Sequence, residues 1–321
     1  MKIYQQTQIV GAIDMKIAAA RIAEGFIAYS QGRVQVPPVQ NFSFEQANGD
    51  CCVKSAWIEG SETFTVKIST GFYDNPAKGL ASNDGLMLVL CAQTGAPKAL
   101  LQDEGWLTCV RTALAGQIAA KLLAPSVITG IGILGCGVQA QMQLEQLVPL
   151  TDCRKLTVWG RNPAALEAYR QFADSLGFSV TTTQDAREVA QNANLIVTTT
   201  PSREPLLQSG WIQPGTHITA VGADGGGKQE LDTHLVARAD VIAVDSVQQC
   251  SQYGEVSHAV KQGLIVGEQL LELGLLLEGK VQGRDNDRQI TLADLTGVAV
   301  QDAQIAGYAM QACAEALPGL L

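Results

Sequence analysis

Two glycines in a short apolar segment have the spacing needed to hold a phosphate group. The segment GILGCGVQA places Gly135 and Gly137 between a strand-like apolar run and a stretch with helical spacing that begins near Val138. Gly135 would allow a tight turn, Gly137 would let the backbone approach a pyrophosphate, and Ala140 would permit close helix packing. The N-terminus of the helix would then face the anion. Because the pattern follows a strand and opens a series of strands and helices, it favours a dinucleotide-binding turn over a glycine turn without a ligand.

The residues after the next strand indicate which nucleotide such a turn would bind. The run KLTVW is followed by Gly160, Arg161 and Asn162. Enzymes that use NAD usually have Asp or Glu here to bind the ribose 2′-hydroxyl, and this chain has no acid there to repel a 2′-phosphate. The guanidinium of Arg161 could pair with that phosphate. The sequence therefore favours NADP(H), with NAD(H) possible, and a solvated Arg161 without this role is the alternative.

A lone carboxylate stands at the start of a second glycine-rich stretch. In AVGADGGGKQELD, Asp224 follows an apolar run, and three glycines separate it from Lys228. A strand that ends there would place Asp224 at the carboxyl edge of a parallel sheet, where doubly wound folds bind ligands. A carboxylate beside a nicotinamide can exchange a proton with a substrate nitrogen and stabilise an iminium cation. The alternative is an N-cap or an Asx turn.

Three cations lie in otherwise apolar segments. Lys54 (in CVKSAW) and Lys67 (in TVKIST) occupy two β-type runs that we expect to be neighbouring strands. Lysine in a strand usually marks an edge or a solvated face, so these residues alone do not imply function. Arg111 lies beside Thr112 in an apolar helix and is either a surface charge or a buried ligand of an anion. Its planar guanidinium suits a carboxylate or a pyrophosphate.

The elements that must position these residues follow two patterns. Residues 10–30 have helical spacing, and the runs CCVKSAWI, TFTVKIST and LMLVLCA predict a mostly antiparallel sheet. A helix is predicted from Leu107 to Leu123, with Thr108 as its N-cap. Apolar strands then alternate with helices, which indicates a parallel sheet with crossovers, and the segment from Leu292 to Leu317 is predicted to be helical. The fold class is therefore α/β: a Rossmann-type doubly wound parallel sheet plus a second α+β domain.

Composition excludes several classes of protein. The 321-residue chain has a net charge of −9, which argues against a nucleic-acid-binding surface. No signal peptide and no membrane-spanning run is predicted. The eight cysteines and the histidines His217, His234 and His258 lack the spacing of a metal site. We expect reduced, buried thiols in a cytoplasmic protein and a structural role for His217.

Several motifs together resemble the ornithine cyclodeaminase and mu-crystallin family. They are ALLQDEGWLTCVRTALAGQIAAKLLAP, GILGCGVQAQMQL, TTTPSREPLL, AVGADGGGKQELD and GVAVQD, and the resemblance covers nearly the whole chain. The family includes cyclodeaminases, ketimine and cyclic-imine reductases, amino-acid dehydrogenases and a thyroid-hormone-binding crystallin. It implies a homodimer in which residues 1–115 with 300–321 form the substrate-binding and dimerisation domain. Residues 116–299 would form the dinucleotide-binding Rossmann domain.

The resemblance implies roles for individual residues. Asp224 matches the acid that donates and accepts the catalytic proton, Lys67 matches the lysine that contacts the substrate, and Arg111 matches the arginine at the cofactor–substrate junction. Substrate binding is also expected of Thr296 and, although no family residue matches it, of Lys54. Cofactor contacts are expected from Ser82, Thr112, Gly135, Gly137, Val138, Gln139, Gly160, Arg161, Asn162, Thr199, Thr200, Val221 and Lys228.

Two positions depart from the family pattern. The family often has Pro-Pro-Arg where this chain has VPPVQ, so Val39 cannot grip a substrate carboxylate, and we expect Lys54 to supply the missing charge. Gly160 stands where the NAD-using cyclodeaminase has its ribose-binding acid. The favoured function is an NADPH-dependent reductase of a small cyclic or open 2-imino carboxylate, of the Δ1-pyrroline-2-carboxylate type. The alternatives are a cyclodeaminase, which releases ammonia without net redox change, and a non-catalytic binder like a crystallin.

Overall fold

The computed structural model describes residues 1–316 and divides into two compact units. The first unit comprises Met1–Arg111 with the chain from Ala299 onward, and the second comprises Thr112–Val298. Residues 317–321, which include the last residue of the predicted C-terminal helix, lie outside the described residues. Within residues 1–316, none of the helices has the length and apolar character needed to cross a membrane.

The strands and helices have the following bounds. The strands are β1 (Lys2–Gln5), β2 (Val34–Gln35), β3 (Gln40–Phe44), β4 (Gly49–Ile58), β5 (Thr63–Phe72), β6 (Asn83–Cys91), β7 (Pro97–Gln102), β8 (Ile131–Leu134), β9 (Lys155–Trp159), β10 (Ser179–Thr183), β11 (Leu195–Thr198), β12 (His217–Ala220), β13 (Val241–Val244), β14 (Leu270–Glu272) and β15 (Thr291–Asp294). The α-helices are α1 (Gln6–Ala12), α2 (Met15–Ser30), α3 (Trp106–Leu123), α4 (Val138–Leu147), α5 (Pro163–Ser175), α6 (Ala186–Asn192), α7 (Thr233–Arg238), α8 (Val247–Tyr253), α9 (Glu255–Lys261), α10 (Leu273–Leu277) and α11 (Val300–Ala316).

The first unit is built on a sheet with the strand order β1-β7-β6-β5-β4-β2, in which β3 also pairs with β4. The pairing of β1 with β7 is parallel, and the other strands pair antiparallel. Side chains alternate between the two faces of such a sheet. Lys67 and its register partner Met87 are buried on the face that carries α11, whereas the neighbouring pair Val66 and Leu88 is only half-buried. One face of the sheet is therefore covered and the other is open.

The second unit is a doubly wound parallel sheet with the order β10-β9-β8-β11-β12-β15-β13-β14. Every pairing in it is parallel, and helices pack on both faces. In β11, Leu195 and Val197 lie in one hydrophobic cluster with residues of α4 and α5, while Ile196 lies in another with residues of α6, α7 and α9. The predicted α/β fold class is confirmed. The strand order reverses between β8 and β11, and doubly wound folds bind ligands beyond the carboxyl ends of the strands at such a point.

Two local predictions were wrong. Helix α3 begins at Trp106, so Thr108 is its third residue and not its N-cap. The buried carboxylate of Asp103 instead accepts a hydrogen bond from the Leu107 amide at 2.7 Å. The predicted C-terminal helix likewise starts only at Val300, because Thr291–Asp294 forms β15 between β12 and β13. A propensity for helix in this segment is overridden by burial between two strands.

The turn after β8 depends on the conformational freedom of one glycine. Gly135 has φ +117°, and its amide donates a hydrogen bond to the Trp159 carbonyl at 3.0 Å. A Cβ atom at this position would also overlap Oγ1 of Thr199. Two residues later, Gly137 has φ −84°, and a Cβ there would meet no heavy atom within 4 Å.

These two glycines should therefore respond differently to alanine. We expect Gly135→Ala to lower the free energy of unfolding by about 2–5 kcal/mol, because it combines a strained backbone with a steric overlap. Gly137→Ala should lower it by about 1 kcal/mol or less. Denaturant unfolding of both variants measures the difference. Equal losses of unfolding free energy would contradict the strain and the steric overlap assigned to position 135.

Candidate functional site

The phosphate turn of the second unit leaves backbone amides accessible at a helix N-terminus. Gly137 is the N-cap of α4, and no side chain caps the helix. Because nothing lies within 4 Å of the position that a Cβ of Gly137 would take, an anion can approach the backbone closely there. Helix N-termini favour anions through their unpaired N–H groups and dipole. The residues present thus fit the pyrophosphate of a dinucleotide.

The loop after β11 lies against this turn. The amide and the hydroxyl of Thr199 both donate to the Leu134 carbonyl, each at 2.9 Å. The amide of Val221, which follows β12, donates to the Thr198 carbonyl at 3.0 Å. The structure therefore brings Gly135, Thr199 and Val221 together at the carboxyl edge of the sheet, where β8, β11 and β12 end. Their predicted cofactor contacts stay predictions.

The end of β9 shows a second reason for a glycine at position 160. Gly160 is buried, and a Cβ there would lie 2.5 Å from Sγ of Cys136. An acidic side chain at this position would require Cys136 to move, which the sequence alone did not reveal. Arg161 is exposed, and the side chain of Asn162 caps α5 by accepting hydrogen bonds from the amides of Ala164 and Ala165.

Asp224 lies in the loop that follows β12, four residues beyond the end of the strand. Its carboxylate pairs with the ammonium of Lys228 at 2.6 Å, and its side chain is 55% exposed. The carboxylate is therefore reachable by a ligand, whereas the Lys228 side chain is only 19% exposed. This arrangement is able to exchange a proton with a bound ligand, while Lys228 holds the carboxylate in the loop.

The first unit buries a cluster of cations around one carboxylate. Oδ1 of Asp302, on α11, accepts from Nζ of Lys67 at 3.0 Å and from Nε of Arg111 at 3.1 Å. Lys54 is the register partner of Lys67 on the adjacent strand β4 and is also buried. Oδ2 of Asp302 is buried without a hydrogen-bond partner in the described structure. We call Lys54, Lys67, Arg111 and Asp302, together with the nearby Asp103, the buried charge cluster.

The charges in this cluster shift one another's pKa values. Burial, reinforced by the charge of Arg111, lowers the pKa of Lys67 to about 8, although Asp302 opposes the shift. Burial acts against ionisation of Asp302, but Lys67, Arg111 and Lys54 outweigh it and hold the pKa of Asp302 below its usual value. Burial raises the pKa of Asp103 to about 6. At neutral pH the two carboxylates are therefore mostly ionised and Lys67 is mostly protonated.

The remaining predicted residues have structural contacts of their own. Thr296 is buried, and its hydroxyl donates to Asp245 at 3.0 Å while Gln249 donates to it at 3.0 Å. The side chain of Gln139 accepts from Gln143, which also donates to the Thr112 carbonyl. Their predicted ligand contacts, with those of Val138 and Ser82, stay predictions. Ser82 belongs to the first unit, and the other cofactor candidates belong to the second.

His217 has a structural role in the second unit. Its ring nitrogens lie 2.8 Å from the hydroxyl of Thr291 and 3.0 Å from the hydroxyl of Thr219. Burial lowers its pKa to about 3, so the ring is neutral at physiological pH. In residues 1–316, no group of three or more histidine, cysteine or acidic side chains is arranged to hold a metal ion.

Asp302 and Asp103 were not among the predicted site residues. Asp302 lies in the GVAVQD motif, to which the family resemblance assigned no role for this acid. It is 235 residues from Lys67 in sequence. An acid at the start of an apolar helix was the available signal. Local pattern could not show that this acid neutralises cations from two other elements.

Removing the charge of Asp302 should destabilise the first unit strongly. Asp302→Asn keeps the shape but leaves Lys67 and Arg111 buried without their counter-charge, so we expect the free energy of unfolding to fall by about 3–5 kcal/mol. Denaturant unfolding measures the loss. The matched control is Glu24→Gln, which breaks the exposed pair of Glu24 with Arg21 and should have no measurable effect. An Asp302→Asn protein as stable as this control would contradict the assignment.

The known proteins that resemble this chain match it over almost its whole length. The family pattern described as "Ornithine cyclodeaminase/mu-crystallin family" matches residues 1–315. A protein of Rhizobium meliloti (strain 1021), provisionally named a dehydrogenase, is 39% identical over 312 residues, which cover 96% of this chain and 94% of the relative.

Two solved structures have the same fold over almost their full length. An archaeal alanine dehydrogenase dimer with bound NAD has a TM-score of 0.91 and 33% identity, covering 98% of this chain and 97% of that one. The Δ1-pyrroline-2-carboxylate reductase of Thermococcus litoralis, in complex with NADH and L-proline, has a TM-score of 0.92 and 31% identity, covering 98% of each chain. The resemblance found in the sequence is confirmed: the chain belongs to the ornithine cyclodeaminase/mu-crystallin family.

Proposed function

We propose that this protein is an NADPH-dependent imine reductase that converts a small cyclic or open 2-imino carboxylate into an L-amino acid. A compound of the Δ1-pyrroline-2-carboxylate type is the first substrate to test. In this proposal the first unit binds the substrate and forms the dimer, and the second unit binds the dinucleotide. The relatives named as dehydrogenase and reductase support a nicotinamide-dependent oxidoreductase.

The observation that carries the substrate class is the charge balance of the buried charge cluster. Three cations, Lys54, Lys67 and Arg111, face two carboxylates, Asp302 and Asp103. These five side chains therefore carry a net positive charge, which favours the binding of an anion. A monocarboxylate balances this charge, and the fork of Arg111 suits a carboxylate geometrically. Lys54 would supply the positive charge for the substrate carboxylate, which the uncharged side chain of Val39 cannot supply.

Asp224 would serve the nitrogen of the substrate. A bound nicotinamide supplies hydride chemistry at C2 of the imine. The acid form of Asp224 would protonate the imine nitrogen, and the carboxylate left behind would stabilise the iminium cation. The exposure of the Asp224 side chain supports this role, because a ligand can reach it, and its ion pair with Lys228 would stabilise the carboxylate that remains after proton transfer. In the overall reaction, the imine, the reduced nicotinamide and one proton are converted into the amine and the oxidised nicotinamide.

Preference for NADPH over NADH is supported by the end of β9. Gly160 leaves no acid beside the position expected for the adenosine ribose, and Arg161 is exposed next to it. A guanidinium there can pair with a 2′-phosphate. The two compared structures contain NAD or NADH, and the present proposal therefore assigns this chain a different preference.

The open face of the first sheet supports a homodimer. Val66, Leu88 and Leu100 are register partners across β5, β6 and β7, and all three are half-buried. Ile68 on the same face is 38% exposed. A contiguous apolar surface of this kind usually marks an interface, and the compared alanine dehydrogenase is described as a dimer.

One assay tests the activity. The protein is incubated with Δ1-pyrroline-2-carboxylate, or with pyruvate and ammonia as a source of an open imine, and oxidation of NADPH and of NADH is followed in parallel. We expect faster oxidation of NADPH, and loss of kcat on the order of 10²–10⁴-fold in Asp224→Asn with unchanged nucleotide affinity. Asp174→Asn, an exposed acid on α5, is the control and should keep full activity. Ammonia release from ornithine without net NADPH loss would contradict the proposal in favour of a cyclodeaminase, and a preference for NADH would contradict the role of Arg161.

A charge on the open face should separate the dimer. Leu88→Lys places an ammonium in the centre of the proposed interface, where its desolvation would not be compensated. We expect sedimentation or light scattering to give the 34.0 kDa mass of one chain for this variant and twice that mass for the unmodified protein. Val127→Lys, at a position that is 66% exposed in the second unit, should remain dimeric. If the Leu88→Lys protein has the mass of two chains, this face of the sheet is not the dimer interface.

A further inference from the structure

A buried glutamate in the second unit accepts hydrogen bonds from two different loops. Glu230 is fully buried. Its Oε1 accepts from the Thr200 amide at 2.6 Å, and its Oε2 accepts from the Thr198 hydroxyl at 2.6 Å and from the Gly222 amide at 3.0 Å. One carboxylate thus joins the loop after β11 to the start of the loop that carries Asp224.

We propose that Glu230 is a positioning residue, which fixes the Asp224 loop against the loop of Thr199 and Thr200. The inference rests on the proposed function, because Thr200 is a predicted cofactor contact and Asp224 is the proposed proton donor. Glu230 itself touches neither substrate nor cofactor in this proposal. It acts through the two backbone amides that it holds.

Close packing of the two loops supports this role. A Cβ at Gly222 would overlap both the Thr200 carbonyl oxygen and Oε2 of Glu230. The backbone at Gly222 can therefore approach the carboxylate only because the residue is glycine. The same approach fixes the separation between the two loops at the carboxyl edge of β11 and β12.

The C-terminal end of the Asp224 loop is also held by hydrogen bonds. The amides of Glu230 and Leu231 donate to the carboxylate of Glu255 at 2.7 and 3.0 Å. The amide of Gln229 donates to the Ser202 carbonyl at 2.8 Å. The loop is thus anchored at Gly222 and again at Gln229–Leu231, and the exposed carboxylate of Asp224 lies between these anchors.

The hydrogen bonds from the two amides favour an ionised carboxylate. Two of the three donors are backbone amides, which cannot accept a hydrogen bond from a protonated acid or from an amide side chain. Two further carboxyl groups face Glu230. Burial raises the pKa of Glu255, on α9, well above its usual value and the pKa of Asp294, on β15, to about 7. Burial also raises the pKa of Glu230 to about 7, although its hydrogen bonds oppose the shift. Protonation of Glu230 near neutral pH would therefore weaken its hydrogen bonds to the two amides.

The test compares three variants of the full-length protein. Glu230→Gln places an NH₂ group among three donors, so we expect kcat to fall about 10–100-fold, as for small misplacements of reacting groups. The amides of Thr200 and Gly222 should exchange with deuterium faster in this variant. The unmodified protein should lose kcat as the pH falls through about 7, and this dependence should be smaller in Glu230→Gln, where Asp294 still titrates but Glu230 does not. Thr198→Val, which keeps the carboxylate and both amide donors, should change kcat less than about threefold.

Glu230→Asp is the third variant and keeps the proposal testable if Glu230→Gln does not fold. Its carboxylate is one methylene shorter and cannot reach both loops, so we expect a lower kcat with the pH dependence retained. Unmodified kcat in Glu230→Asp, or unchanged exchange of the Thr200 and Gly222 amides in the folded variants, would overturn the proposal. The exchange measurement needs no substrate. The exchange rates therefore test the positioning role of Glu230 independently of the outcome of the reductase assay.

Discussion

Buried charges need partners, and this requirement organises both units of the chain. An ionised side chain removed from water is unstable unless opposite charge or several hydrogen bonds compensate it. In the first unit, Asp302 compensates Lys67 and Arg111 through a single oxygen atom. Because these residues lie on α11, β5 and α3, the ion pairs also fix the helices relative to the covered face of the sheet. In the second unit, the buried carboxyl groups of Glu230 and Glu255 accept hydrogen bonds from donors in the loops beyond the parallel strands.

Glycines determine where those loops can meet. Gly135 approaches Thr199, and Gly222 approaches Thr200, at distances that exclude a Cβ atom. Both contacts occur at the carboxyl edge of the sheet, next to the point where the strand order reverses. A side chain at Gly135 or Gly222 would separate the loops and weaken the hydrogen bonds between them. Close packing therefore explains the glycines at positions 135 and 222.

The sequence was sufficient for features that depend on local pattern. The phosphate turn, the alternating strands and helices of the second unit, and the pairing of the Lys54 and Lys67 strands all follow from periodicity and turn residues. Features that depend on distant contacts were not predicted. The segment of β15 reads as helix because its burial between β12 and β13 has no local signature. Asp302 and Glu230 look like ordinary acids until their partners, far away in sequence, are known.

The register of the first sheet has a consequence for the substrate. Lys54 and Lys67 are direct cross-strand partners, and side chains at such positions lie close together on one face. Two ammonium groups side by side repel each other, and the charge of Lys54 accordingly adds to burial and to Arg111 in lowering the pKa of Lys67, while Asp302 opposes the shift. A further anion shared between the two lysines would reduce the repulsion. A lysine lacks the bidentate fork of an arginine and holds a carboxylate as a point charge. If Lys54 binds the substrate carboxylate, as proposed, it would therefore supply the charge of an arginine with less control over the orientation of the carboxylate.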